Sequence, residues 1–588
     1  MIYLLALLLS VVGSYQVYHG QFSTIYKEIA VIFNSVIKLF AFFPTLGFEV
    51  EAPLAYELAI WIAPLGTIMG FFSLFKTLYL KINRMLKGIN RPVRLILGWN
   101  EAAQLFIRSS LQSDYRTIVL LDQKVGHNID EQIGLDLGIH FVSYDFNQTD
   151  HPANQWKWRE FGFKRVKQVV SFVEEPESYS QVVTLADRFE AKQQRVSIYI
   201  QSHSDRMKDF MQDFLSSYTF ISIYYFDLEE LVVNQWLSQD YMLSWAVPDL
   251  SKRLSMIELT SFSALQEAIP QLHLAIVSGS SHLLPLLRAV ANQLVIKPMS
   301  KIKITILGPE ASKLVEEMKT FVEGLDQVYE IDFLVCPLDS FQLREAMLEL
   351  VNLQVPASAL IVNLTDERKS LLVLDRLYAD FSDFPIAVRI EDQSNYRLFL
   401  EALNSRFKHL QVYGNQGQVL NEQAIIDQAH YQKAIRFNAS YQKTMSHLMD
   451  WPISQKTPLD QWLSLTSFKK ESSYYQAMHQ TTKSQILKYL GFDKDQLLDL
   501  WRQQLVGLSV SEQVDRIEAD PLMNFMAALE HHRWDNFHFM RHFVYGSQKD
   551  LAKRQHDCLI VDWYDFMTSP NRDKAIYDFL STLDLLND

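Results

Sequence analysis

The sequence predicts a membrane-anchored α/β chain: N-terminal transmembrane helices, then two parallel-sheet lobes, then a mainly helical C-terminal domain. Three observations carry this. The first 80 residues hold long apolar stretches. From residue 93, short apolar runs alternate with helical segments in two similar sets. Past about residue 430 the pattern becomes helical. The domains are expected at 1–92, 93–265, 266–428 and 429–588. At 588 residues the chain exceeds one domain. Hydrophobic content of 48% against 21% charged supplies ordinary packed cores, and a net charge of −13 disfavours a protein that binds nucleic acid through phosphate contacts. The only cysteines, Cys336 and Cys558, exclude a disulfide scaffold and suit a reducing compartment.

Ile2 to Tyr18 carries no charge, no basic flank and no clear cleavage site, so it reads as a retained span rather than a signal peptide. The second expected span is 54–80, kinked at Pro64, with Gly66 and Gly70 spaced for close helix approach. The segment 23–43 contains Lys27, Glu28, Asn34 and Lys38. It is expected as a re-entrant or interfacial helix, because those charges are costly in lipid. Lys76, Lys81, Arg84, Lys87, Arg91 and Arg94 follow with no acid between them, which places the rest of the chain in the cytoplasm beneath an inner membrane.

Between the spans, Thr45-Leu46-Gly47-Phe48-Glu49 resembles the selectivity filter of potassium channels. Filters present backbone carbonyls to the ion, and their glycines allow left-handed backbone. Here Gly47 is kept, but Glu49 replaces the second glycine and Pro44 precedes the threonine. The resemblance implies K+ as a permeant ion. The alternatives are a less selective cation mouth ringed by Glu49 and Glu51, or a plain loop between anchor helices.

The first lobe has expected strands beginning near Val93, Ile118, His140, Gln168, Val196 and Phe220. The second repeats the plan near Leu274, Lys301, Tyr329, Ala359, Pro385 and Leu410. Short apolar runs alternating with helices indicate parallel sheets, which bind ligands at the carboxyl ends of their strands. Gly98-Trp99-Asn100-Glu101-Ala102-Ala103 stands where G-x-G-x-x-G would, after a strand and opening a helix. Ala103 is an allowed third position, whereas Asn100 departs from the glycine that lets a pyrophosphate approach the backbone. Asp122 closes the next strand, as an acid holding ribose hydroxyls would, and Asp145 closes the third. This pattern resembles the TrkA-N family, the Rossmann-fold RCK or KTN regulatory domains of potassium channels and transporters. The resemblance implies that Gly98, Asn100, Ala103, Asp122 and Asp145 line a pocket for NAD(H) or another adenine nucleotide. The second lobe has Ser278, Ser280 and Leu283 at the three glycine positions and Gly308 in place of the acid, so a structural or dimerising role is expected there. His282 is expected as a surface or helix-start residue.

In the C-terminal segment, Glu530, Arg533 and Trp534 lie within about one helical turn, and Phe537 and Arg541 extend that face. An arginine beside a tryptophan can stack on its ring, and a second can hold a phosphate or carboxylate. Lys549, Lys553, Arg554 and His556 add positive charge. The two readings are an anion pocket and a structural Glu–Arg pair with Trp534 in the core. His538 and His542, at i and i+4, are not expected to bind metal. In order and spacing, Glu530, His531, Arg533, Trp534, Tyr545, Gly546, Lys549, Asp550, His556 and Asp573 resemble the ryanodine-receptor repeat, or RyR domain. The resemblance implies a ligand-binding module using Glu530, Arg533, Trp534, Arg541, Tyr545, Lys549 and His556.

G-x-S-x-G, Walker A and HExxH are missing, so no enzyme is expected. Together the resemblances imply a ligand-gated membrane protein, with cation flux or membrane disruption in a defence response as output. The alternative is a non-conducting, membrane-anchored nucleotide sensor or scaffold. A homo-oligomer is expected, a tetramer if ions pass and otherwise a dimer.

Overall fold

The computed structural model describes residues 2–41, 44, 51–65, 67–68, 91–122, 137–147, 162–215, 217–393, 396–428, 431–448 and 455–583. By internal packing it divides into one unit over 1–92 with 114–116 and a second over the remainder.

In the first unit, α1 (Ile2–Tyr18) and α2 (Ile25–Phe40) pack together with a helical stretch over 54–65. Ser14 donates to Ser35 at 3.0 Å across the α1–α2 contact. Gly13 is the point of closest approach: a Cβ there would lie 2.6 Å from the Tyr56 Cα. Leu39, Tyr56, Ala59 and Ala63 form the small core. Among the described residues, no helix is long and apolar enough to cross a membrane. The first expected span, α1, is therefore not borne out as a crossing helix. α1 has 17 residues, about 26 Å of helix against a hydrocarbon layer of about 30 Å. The second expected span is described only to residue 68, and residues 69–90, with Gly66 and Gly70, lie outside the described residues. The filter-like Thr45, Leu46, Gly47, Phe48 and Glu49 lie outside them too. The expected re-entrant segment is α2, an amphipathic helix that keeps Lys27, Glu28 and Lys38.

The second unit opens with a parallel six-stranded sheet: β1 (Val93–Leu97), β2 (Arg116–Asp122), β3 (His140–Tyr144), β4 (Val166–Ser171), β5 (Val196–Gln201) and β6 (Ile221–Phe226). Its spatial order is 3-2-1-4-5-6. The second sheet comprises β7 (His273–Ser278), β8 (Ile302–Gly308), β9 (Tyr329–Val335), β10 (Ala359–Asn363), β11 (Ile386–Arg389) and β12 (Leu410–Tyr413). Counted from its own first strand, it has the same order. Both are doubly wound Rossmann sheets, so the internal repeat extends to the whole topology. The runs VRLIL, HLAIVS and ALIVN are buried at every residue, as parallel strands covered on both faces must be.

The lobes are joined by the segment after β6. Helix α4 (Leu228–Leu237) carries Trp236, whose ring stacks on Tyr413 of β12 at 4.2 Å while its N–H donates to Gln411. Trp245 donates to the His409 carbonyl. Beyond β12 the chain returns to the first lobe, where Ser109 of helix α3 (Glu101–Ser109) donates to the Leu420 carbonyl.

The C-terminal part is helical, built on α6 (Ser467–Tyr489) and α7 (Pro521–Phe539). These pack on α5 (Ser280–Gln293), the first helix of the second lobe, and satisfy the carbonyls that its C-terminal end leaves open. Thr482 donates to Gln293, Asn536 donates to Ala291, and His479 Nε2 lies 2.8 Å from the Val295 carbonyl. Lobes and helical part therefore share one continuous apolar core.

Trp236→Ala removes the ring that bridges the lobes. It is expected to destabilise the second unit by about 3–5 kcal/mol, read as a fall in the urea midpoint. An unchanged midpoint would mean that the lobes hold together without it.

Candidate functional site

The carboxyl edge of the first sheet gathers four of the five expected crevice residues. β1 is followed by Gly98, whose φ of +86° favours glycine, and a Cβ there would meet Val173 Cγ2 at 3.0 Å. Asn100 caps α3: its side-chain oxygen accepts the Ala103 N–H at 3.0 Å, and its amide donates to the Phe172 carbonyl at 2.8 Å. The side chain thus ties the start of α3 to the end of β4 and takes one of the N–H groups a pyrophosphate would use. Asp122 closes β2, with Gln181 Nε2 3.5 Å away. Asp145 follows β3 and accepts the Asn147 N–H at 2.9 Å. Because the strands are parallel, these groups share one edge. The fifth, Ala103, is fully buried on α3 itself, where a small residue lets the helix approach the sheet.

The corresponding edge of the second lobe is filled from within the chain. Glu229, in the first turn of α4, reaches across the lobe boundary and accepts a bidentate pair of hydrogen bonds from Arg389 at 2.5 and 2.9 Å. Its other neighbour is His282 Nδ1, at 2.7 Å. Arg389 closes β11 and is fully buried. Burial opposes ionisation of Glu229, but His282 and Arg389 hold its carboxyl down to about 2. His282 is a helix-start residue as expected, but it is buried against a carboxylate rather than exposed. The adjacent Glu230 pairs with Arg288 of α5 at 3.2 Å. Neither glutamate was singled out in sequence. An arginine ending the apolar run IAVR is the one local signal that β11 meets a buried anion.

The RyR-like residues divide into two groups. Glu530 and Arg533 lie inside the protein with no exposed surface. Glu530 accepts from Arg533 Nε at 2.8 Å, lies 2.8 Å from Lys483 Nζ and is 3.2 Å from His479 Nδ1. Burial opposes its charge, yet Arg533 and Lys483 keep its carboxyl well below the usual range. This is the structural Glu–Arg pair, extended by Lys483 and His479. Arg541 is also buried, 3.9 Å over the Phe537 ring and paired with Glu471 at 2.9 Å. The second group is more superficial. Trp534 is half-buried, with His538 at 3.9 Å and His556 at 4.8 Å between ring centroids, while Tyr545 and Lys549 are exposed. The seven residues therefore do not form one pocket.

His538 and His542 do not share a helical face. α7 ends at Phe539, and His542 has φ +66°. Among the described residues, His556, Asp557 and Cys558 are the one cluster with metal-ligand spacing. Lys574 Nζ sits 3.2 Å from Asp557 and 3.1 Å from Cys558, placing an ammonium where a cation would bind.

Charges cluster elsewhere along α7. His531 lies 3.0 Å from Asp578 and 3.6 Å from Asp535. Burial opposes its protonation, but the two carboxylates raise it to about 9. His532, buried without a carboxylate partner among the described residues, is pushed down to about 4 by burial.

No family model matches the sequence, and no curated protein does. Among solved structures, GsuK bound to ADP is 14% identical with a TM-score of 0.35, covering 71% of this chain and 93% of that one. The GsuK channel bound to NAD is 13% identical with a TM-score of 0.37, covering 71% and 80%. The human SLO3 gating ring is 12% identical with a TM-score of 0.33, covering 53% and 76%. At these scores the likeness carries no argument, and the Rossmann reading rests on the strand orders of this chain.

Two outcomes are expected. Glu530→Gln leaves Lys483 and Arg533 buried without their anion and should cost about 3–5 kcal/mol, read from the urea midpoint. A shift under about 1 kcal/mol would contradict the burial of an ion pair. His532 has a folded value below its unfolded one, so its contribution is present above pH 6.5 and is lost as pH falls toward 4. His532→Asn should therefore flatten the loss of stability between pH 6.5 and 4, and an unchanged slope would assign that loss to other groups.

Proposed function

We propose that this chain is a ligand-responsive regulatory protein held at a membrane by its N-terminal unit. An adenine nucleotide, NAD(H) included, binds the crevice of the first lobe. The single observation behind this is the contrast between two copies of one fold. The crevice of the second lobe is filled by Glu229, held by Arg389 and His282. That of the first lobe presents Gly98, the start of α3 and the Asp122 carboxylate at the switch point between β1 and β4, where doubly wound sheets take their ligands. Membrane attachment is supported by the exposed apolar side chains of the N-terminal unit, among them Leu8, Ile25, Phe33 and Trp61.

In this reading, nucleotide binding shifts the packing of α4 against the second lobe, and the change reaches the N-terminal helices. Such coupling needs only a few kcal/mol of differential affinity. The output is cation flux of the potassium type in a homo-oligomer, with residues 45–49 at the mouth. A second reading, a non-conducting anchored sensor or scaffold, is favoured by the 17-residue length of α1.

Isothermal titration of the full chain with NAD and with ADP tests the ligand. Asp122→Ala is expected to weaken binding by about tenfold through loss of the ribose acceptor. Asn100→Gly frees the Ala103 N–H and vacates space for a pyrophosphate. It is expected to tighten binding, since a glycine cap costs only a few tenths of a kcal/mol. No heat with either ligand, or two unresponsive variants, would refute nucleotide binding at this crevice. Potassium flux into liposomes, with Glu49→Gln, then separates the two readings: flux altered by the substitution supports a pore, and no flux supports the sensor.

A further inference from the structure

A cavity of about 480 Å³ lies where the first lobe, α4 and the helical part meet. Its floor is β6, an edge strand of the first sheet. One wall is Asp227, which caps α4, with Glu230 and Asn234 of that helix. The opposite wall is the start of α6, with Lys470, Glu471, Tyr474 and Tyr475. Its volume lies within the roughly 300–1,000 Å³ typical of small-molecule sites.

Most of its charged groups are already paired. Asp227 accepts the Glu229 and Glu230 N–H groups at the start of α4 and meets His203 at 2.8 Å. Glu230 pairs with Arg288, and Glu471 pairs with Arg541 and, at 3.7 Å, with Lys208. Lys470 differs. Among the described residues it has no carboxylate partner, and it lies over the Tyr224 ring, 6.0 Å from Nζ to the centroid. Burial lowers its ammonium to about 8, so it remains largely protonated at neutral pH in a setting that penalises the charge. An anion at Nζ would relieve that penalty. The aromatic walls supply the rest of a recognition site. Tyr224 is stacked on Tyr199 at 4.9 Å, which fixes its plane, and the Tyr431, Tyr474 and Tyr475 phenols are held neutral by burial. Such rings favour a flat ring system over an aliphatic chain.

We propose that this cavity is a second ligand site, for a ring-bearing anion of nucleoside-monophosphate size, with Lys470 holding the anionic group and the tyrosines receiving the ring. It shares no residue with the Gly98 crevice and does not depend on nucleotide binding there. Its position gives it a readout. Glu230 in its wall is paired with Arg288 of the second lobe, and the preceding residue, Glu229, is the carboxylate on Arg389 and His282. A ligand here touches Glu230, one of the charges that join the lobes.

Pyridoxal 5′-phosphate is a ring-bearing phosphate whose aldehyde condenses with an amine that loses its proton near neutrality. The full chain, treated with it at pH 7.5, reduced with borohydride and mapped by peptide mass, is expected to carry the label on Lys470 in preference to exposed Lys313. AMP is expected to protect Lys470. The labelling should persist in Asp122→Ala, so failure of the crevice and failure of this cavity are read separately. By calorimetry, Lys470→Met should weaken AMP binding by about tenfold or more while Lys470→Arg retains it, and Lys313→Met should have no effect. Labelling that follows exposure alone, absence of AMP protection, or AMP affinity indifferent to Lys470→Met would overturn the site. The labelling experiment uses the unaltered protein and so decides the matter even where a variant fails to fold.

Discussion

The arrangement of the second unit depends on one buried negative charge. A carboxylate with no exposed surface must be neutralised and hydrogen-bonded, or it cannot remain ionised. Glu530 meets this requirement with Arg533 from its own helix and with Lys483 and His479 from α6. His479 in turn reaches the Val295 carbonyl just beyond α5. The charge therefore fixes the register of α7 against α6, and both against the second lobe. Thr482 and Asn536 close the remaining carbonyls at that end of α5. Residues that resemble a recognition motif in sequence thus serve here to seat the helical part on a Rossmann sheet.

The same logic separates the two lobes. Both have the 3-2-1-4-5-6 order, and both end their first strand in a turn that opens a helix. In the second, a carboxylate borrowed from the first lobe occupies the edge where a ligand phosphate would sit, and Arg389 and His282 hold it as they would hold an anion. The lobes are joined there and at Trp236 on Tyr413, so the filled crevice is an element of assembly. In the first lobe the cap of α3 is Asn100, a neutral side chain that organises the turn without bringing a charge into it. An anion can compete with a neutral cap, whereas it cannot compete with a carboxylate in a salt bridge.

The fold was largely legible in the sequence because parallel strands covered on both faces leave an unmistakable trace: short, nearly unbroken apolar runs between helices. All twelve expected strands are present, and the two sets share one strand order. The N-terminal spans were expected from uncharged apolar stretches and their length, whereas α1 comprises 17 residues. Spacing along a helix places Glu530, Arg533 and Trp534 close together, which leaves an anion pocket and a structural Glu–Arg pair both open. Spacing does not say which side of the helix faces the interior, and α7 is buried on nearly every side.

By itself, the sequence determined the local order: where strands and helices lie, that two sheets repeat one plan, and that Gly98 and Asp122 stand at the carboxyl ends of two strands. Tertiary structure decided which charges meet. Glu229 and Arg389 are 160 residues apart, and His479 and Val295 are 184 apart. The cavity around Lys470 draws on β6, α4 and α6 at once. Hydrophobic periodicity is a property of neighbouring residues and can be read along the chain. Charge pairing depends on which distant surfaces are brought together and emptied of water, and that is settled only when the lobes and helices pack.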